Sequence, residues 1–259
     1  MATVDANGVR HHYEEHGSGP PVVLLHGGLE SAESWSAQTP VLAESHRVVL
    51  IDRRGHGRTP DVDGPITYEL MRDDTVACLE ALGLAGVHLV GWSDGGIIAL
   101  MVAIERPDLV GRIVAIGANA SADAYTAETR ATLGPDSPLV DLMRADYEQL
   151  TPDGADHWLV VLEKVQHLWW EAPLDFTDQL TRIDALTMIL AGDDDCIEPV
   201  HSVEMFQRIP NARLAIIPGA SHAVPMEQPD LVNRMILDFL DGPERPNELM
   251  PLLQRRVEE

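Results

Sequence analysis

The run Gly91-Trp92-Ser93-Asp94-Gly95 is where residue type and spacing in this chain first suggest chemistry. It reads G-x-S-x-G directly after the apolar run Val87-His88-Leu89-Val90 and directly before a helical pattern, which is the context of a nucleophile elbow. A sharp strand-to-helix turn forces the serine into a strained backbone, and neighbours without side chains let other segments pack close. The turn lifts the Ser93 hydroxyl above a sheet edge, at the positive end of the following helix. A serine hydroxyl is a poor nucleophile at neutral pH, so it needs a base and an orienting acid. Gly192-Asp193-Asp194-Asp195 follows one later apolar run, and Gly219-Ala220-Ser221-His222 follows the next. Of the eleven histidines, only His222 lies in such a post-strand loop late in the chain.

Six short runs rich in β-branched and aliphatic residues are expected to be the strands that position these loops: 21–25, 47–51, 87–90, 112–116, 186–191 and 213–217. Helices are expected between them, over 68–82 (stopped by Gly83), 95–105 (before Pro107) and 229–240 (before Gly242). This alternation predicts a mostly parallel sheet wrapped by helices. It breaks once, between Asn119 and about Arg182, where the pattern is helical. Trp158, Trp169, Trp170, Tyr125, Tyr147 and Phe176 fall in this stretch. It reads as a helical cap over the carboxyl edge of the sheet, the alternative being extra helices packed on the rim. The expected division is a core of 1–119 and 183–242, a cap of 120–182 and a tail of 243–259. The tail, with Pro243, Pro246 and Pro251, reads as a loosely docked last helix or a dimer contact.

Composition narrows the function classes. The 259 residues are 45% hydrophobic and 23% charged, which is ordinary globular composition. Eighteen basic against 42 acidic residues give a net charge of −24. A field of that sign repels phosphate backbones and anionic lipid, so neither nucleic acid nor a membrane is an expected partner. No long uncharged apolar stretch would span a bilayer, and the first fifteen residues are too polar for a signal peptide, so a cytoplasmic location is expected. Cys78 and Cys196 have neither disulfide nor metal spacing and read as small core residues. His11, His12 and His16 lack a ligand pattern, so no metal is assigned.

Five motifs together resemble the α/β-hydrolase-fold enzymes over nearly the whole chain. They are Leu25-His26-Gly27-Gly28, the stretch Asp52-Arg53-Arg54-Gly55-His56-Gly57-Arg58-Thr59, the elbow, the acid loop and Ser221-His222. The resemblance implies an α/β-hydrolase fold: a mostly parallel central sheet flanked by helices, with an inserted helical cap. It implies Ser93 as nucleophile, His222 as base and Asp195 as acid, three residues after Gly192, with Asp194 as the fallback. It puts oxyanion donors on the N–H groups of Gly28 and Asp94, gives His26 a structural role, and makes the loop from Arg53 a brace. In its elbow the chain is similar to the valacyclovirase (biphenyl-hydrolase-like) branch, where the aspartate after the serine is taken to hold an α-amino group. Asp94, Trp92 and Trp158 are accordingly the expected substrate-binding residues, the aromatics walling an apolar pocket.

The activity implied is hydrolysis of a small-molecule carboxylic ester or lactone through an acyl-enzyme, without cofactor, in a monomer or homodimer. Carbon–carbon bond hydrolases and cofactor-free perhydrolases share the same three residues and remain alternatives. A non-catalytic small-molecule receptor on the same fold is the alternative of another class. An aspartate at the elbow would have indicated a haloalkane dehalogenase or an epoxide hydrolase, and this chain has Ser93.

Overall fold

Runs such as Val22-Val23-Leu24-Leu25 carry no polar alternation, so they need burial on both faces, and a parallel sheet covered by helices provides it. The computed structural model describes residues 2–126, 128–134 and 137–243. Its sheet has eight strands: β1 (Ala2–Ala6), β2 (Val9–Gly17), β3 (Pro21–Leu25), β4 (Arg47–Ile51), β5 (Val87–Trp92), β6 (Val110–Ile116), β7 (Leu186–Asp194) and β8 (Ala212–Ser221). Their spatial order is β1-β2-β4-β3-β5-β6-β7-β8. Strands β3 to β8 run parallel, while β1 and β2 form an antiparallel edge.

That edge hairpin was not among the six expected strands. Its residues are polar and partly exposed, so they give no apolar run. The signal present was Asn7-Gly8, whose φ angles of 46° and 78° are the two left-handed residues of a tight hairpin turn. The hairpin buries His11 and His12. His12 meets the fully buried Asp52 at 3.0 Å, and Asp52 also accepts the N–H groups of Ala32 and Arg58. The histidine-rich start of the chain therefore anchors the loops beyond β3 and β4 to the edge of the sheet.

Six helices of ten residues or more are described: α1 (Tyr68–Ala81), α2 (Asp94–Glu105), α3 (Pro138–Leu150), α4 (Trp158–Trp170), α5 (Pro199–Arg208) and α6 (Pro229–Asp241). Thr67 caps α1 by accepting from Leu70 N–H, and Ser137 with Pro138 starts α3 in the same manner. In α2, every residue but Glu105 is buried, because this helix leaves the elbow and packs across the sheet. Helices α3 and α4 lie between β6 and β7, and no strand of the sheet is described there. Residues 244–259 lie outside the described residues, and with them both readings of the tail. No helix among the described residues is long and apolar enough to cross a membrane.

Gly8 has open space where a Cβ would be, so replacing it tests the hairpin turn alone. Gly8→Ala is expected to cost about 1 kcal/mol in urea unfolding, from the left-handed backbone.

Candidate active site

The expected nucleophile leaves β5 in a conformation that almost no L-residue adopts freely. Ser93 has φ 55° and ψ −123°. Its N–H donates to Ile116 O at 2.8 Å, and its carbonyl accepts from Gly96 and Ile97. A side chain at Gly91 would run into the backbone of Gly95, and one at Gly95 into the carbonyl of Leu25. The G-x-S-x-G spacing is thus a packing requirement: β5 and β3 pair with Leu25 beside Gly91, so the elbow and the His26-Gly27 turn rise together.

The expected acid and base come from the same edge. Strands β7 and β8 run further than expected, and their register ends with Asp194 opposite Ser221. The residues just past the two strand ends are Asp195 and His222. His222 Nδ1 lies 2.7 Å from Asp195 Oδ1, and His222 Nε2 lies 2.9 Å from Ser93 Oγ. Asp195 Oδ1 also accepts the Ile197 N–H. Burial alone would raise the Asp195 carboxyl, but the facing His222 and the hydrogen bonds it accepts hold it below its ordinary value. Burial opposes the His222 cation, and the neighbouring Cys196 sulfur and Asp195 carboxylate outweigh it, leaving His222 well above its ordinary value. The fallback Asp194 is not the partner. Asp193 instead accepts the Gly219 N–H.

Further residues, inside and outside the motifs, hold the His222 loop in place. Trp92 Nε1 donates to His222 O at 2.8 Å, and Glu227 accepts from both the N–H and the hydroxyl of Ser221. Gly117, just past β6 with φ 56°, leaves room for the imidazole: a Cβ there would sit 2.9 Å from His222 Cε1. Asp195, Cys196 and His222 also bring three metal-capable atoms within 4.8 Å of one another. Both His222 nitrogens and Asp195 Oδ1 are already engaged in the relay.

The oxyanion-side loop is braced from below, as the Arg53 motif implied. Arg53 is buried and donates to the carbonyls of His26 and Gly27 at 2.7 and 2.6 Å. His26 Nε2 accepts the Arg53 N–H, so Nδ1 carries the proton and donates to Gly27 O. Burial, then Arg53, keeps His26 well below its ordinary pKa and hence neutral. The N–H groups of Gly28 and Asp94 have no acceptor among the described residues.

A cavity of about 570 Å³ opens over Ser93 and His222. Trp92, Trp169, Leu142, Met143 and Met226 give it apolar walls. Two expected substrate-binding residues are placed differently. Trp158 is 2% exposed, packs against Tyr147 with ring centroids 5.4 Å apart and the rings tilted, and does not line the cavity, because it faces the interior between α3 and α4. The Asp94 carboxylate is 1% exposed and accepts from Tyr68 Oη at 2.8 Å and from Trp169 Nε1 at 3.1 Å. Trp169, which the sequence reading put only in the cap, is the aromatic that reaches the elbow. A side chain on Gly28 would collide with it. Sequence reasoning passed over Glu30, which lines the cavity beside Gly27 and whose carboxyl is pushed up to about 7, chiefly by burial. One acid just past a glycine turn has no sequence signal to set it apart from the other 41.

A mostly parallel eight-stranded sheet with a serine elbow after β5, an acid after β7 and a histidine after β8 defines the α/β-hydrolase class. The model of the alpha/beta hydrolase family matches residues 22–235, and the chain belongs to that family. A provisionally named carbamate hydrolase, RutD, of Caulobacter sp. (strain K31) is 30% identical, with 89% of this chain and 96% of that protein covered. A non-heme haloperoxidase of Rhodococcus erythropolis is also 30% identical, covering 92% and 98%. The solved structure of a thermophilic esterase from Thermogutta terrifontis has a TM-score of 0.72 and 26% identity, covering 93% of this chain and 98% of that one. The protein is a hydrolase.

Gly117→Ala would strain a left-handed backbone and push on the His222 ring. Turnover is expected to fall at least tenfold, with stability lowered by about 1–2 kcal/mol. Steady-state kinetics with thermal unfolding checks both.

Proposed function

We propose that this hydrolase cleaves a carboxylic ester or lactone through an acyl-enzyme on Ser93. The observation that carries the reading is the continuous relay from Ser93 Oγ through His222 to Asp195, at 2.9 and 2.7 Å. Ser93 Oγ attacks the substrate carbonyl while His222 Nε2 takes its proton. Asp195 fixes the imidazole tautomer and stabilises its cation. The N–H groups of Gly28 and Asp94 take the developing oxyanion. His222 then returns the proton to the leaving oxygen, and water activated by the same nitrogen cleaves the acyl-enzyme. The apolar walls fit a hydrocarbon-rich acyl or alcohol group. An α-amino preference held by Asp94 lacks support, since Tyr68 and Trp169 already occupy that carboxylate.

A second reading has one observation in its favour, the relative named as a haloperoxidase. In a perhydrolase, hydrogen peroxide takes the place of water at the acyl-enzyme, and the same residues serve. Rates of peracid formation and ester hydrolysis on one acyl donor separate the two.

A fluorophosphonate probe is expected to add once to the wild-type protein and not to Ser93→Ala, read by intact mass. The same substitution should lower ester turnover by about 10³–10⁶. Near-normal turnover in Ser93→Ala would end the assignment.

The pH profile carries a sign. His222 must be neutral to accept the serine proton, and its pKa is held well above 6.5. The acid limb of kcat/KM is therefore expected at a midpoint above 6.5, and to move down in Asp195→Asn, which loses the stabilising charge. A wild-type midpoint below 6.5 would contradict the arrangement.

A further inference from the structure

One ionisable side chain on the cavity wall has no part in the relay. Glu30 lies two residues beyond Gly28, and its Oε2 accepts the Gly27 N–H at 2.9 Å. A Cβ built on Gly27 would lie 2.7 Å from that oxygen and 3.4 Å from Ser93 Cβ. The carboxyl and the nucleophile thus flank the same backbone atom from the same side. Glu30 is only partly buried, and its Oε1 has no hydrogen-bond partner among the described residues. It belongs to the wall that a bound substrate would meet.

The surrounding charges determine what this carboxyl does. His222 from beyond β8 and Arg53 from beyond β4 favour its anion. Asp94 at the start of α2 opposes it, and burial opposes it most. The balance leaves Glu30 titrating at about 7. Further round the wall are Glu33, Glu128, Asp146 and Asp194, with no lysine or arginine among the described lining residues. A substrate carboxylate would meet only His222, which is already paired with Asp195, whereas an ammonium group would find the Glu30 carboxyl close to the reacting serine.

We propose that the Glu30 carboxyl sets the charge preference of this cavity, favouring esters that carry an ammonium group over their neutral isosteres and excluding those that carry a carboxylate. The proposal rests on the serine-hydrolase reading above. Its second consequence is that the preference switches on with pH. Glu30 is neutral at the acid end and an anion at the alkaline end, while the relay serves every ester alike.

The test uses three aryl esters with acyl chains of equal length, ending in a trimethylammonium, a tert-butyl or a carboxylate group. The trimethylammonium charge does not titrate, so any pH dependence of the ammonium-to-neutral ratio belongs to the protein. A requirement for neutral His222 cancels in that ratio, because both esters need the same enzyme form. For wild-type protein the ratio of kcat/KM values is expected to rise about tenfold between pH 6 and pH 8, the size of one extra ion-pair contact. The carboxylate ester should be the poorest of the three throughout. In Glu30→Gln, which keeps an acceptor for the Gly27 N–H, the ratio should be flat. A ratio that rises equally in Glu30→Gln, or does not rise in wild type, overturns the proposal. Fluorophosphonate labelling of both proteins distinguishes the causes of failure. A labelled Ser93 with unaltered charge discrimination removes the Glu30 proposal alone. No label on wild-type protein removes the serine-hydrolase reading, and the Glu30 proposal with it.

Discussion

The backbone of Ser93 is the constraint on which the rest of this structure depends. A serine at φ 55° and ψ −123° costs about 1–3 kcal/mol, so its surroundings must hold it there. They do so from three directions. Ile116 on the neighbouring strand takes its N–H, and the first turn of α2 takes its carbonyl. The glycines on either side let Leu25 and the start of the helix close in to distances that no side chain would allow. The almost wholly buried α2 then ties that local strain to the main hydrophobic core.

The same close approach accounts for the arrangement of charge. Because β3 and β5 are neighbours, the His26-Gly27-Gly28 turn lies against the elbow, and Glu30 just beyond that turn feels the charge of His222. Arg53 is the one cation under the loop, and its guanidinium is engaged by two backbone carbonyls. It stiffens the His26-Gly27 turn from below, and its charge reaches the cavity wall only through Glu30, whose anion it favours. Asp94 is likewise turned inward, joining α1 through Tyr68 and α4 through Trp169. The carboxylate beside the nucleophile is therefore a fastener between the elbow and the inserted helices. Glu30 instead keeps one carboxylate oxygen without a hydrogen-bond partner among the described residues, on the wall beside the elbow.

Much of this could be read from the chain. Six strands, the elbow turn and the candidate acid and base were read on residues that the structure brings within hydrogen-bond distance, because each is a local event. An apolar run, a glycine where backbones touch, and a polar residue just past a strand end all have short-range signatures. The N-terminal hairpin was missed because its strands face solvent on one side and lack an apolar run. Its Asn7-Gly8 turn was the available clue.

Partnership between side chains was a different matter. The sequence by itself determined which backbone turns exist, since turn chemistry and steric crowding act within a few residues. Only the tertiary structure decided where their side chains point. Trp169 rather than Trp158 reaches the site because α4 presents that face to the elbow, 75 residues away along the chain from Asp94. The β7–β8 register sets Asp194 across from Ser221, which leaves Asp195, of three consecutive aspartates, as the one that meets His222. The high pKa of Glu30 likewise comes from burial, which outweighs the Gly27 N–H, His222 and Arg53 that favour its anion. Desolvation and pairing depend on what packs across the gap, and no local pattern in the chain encodes that.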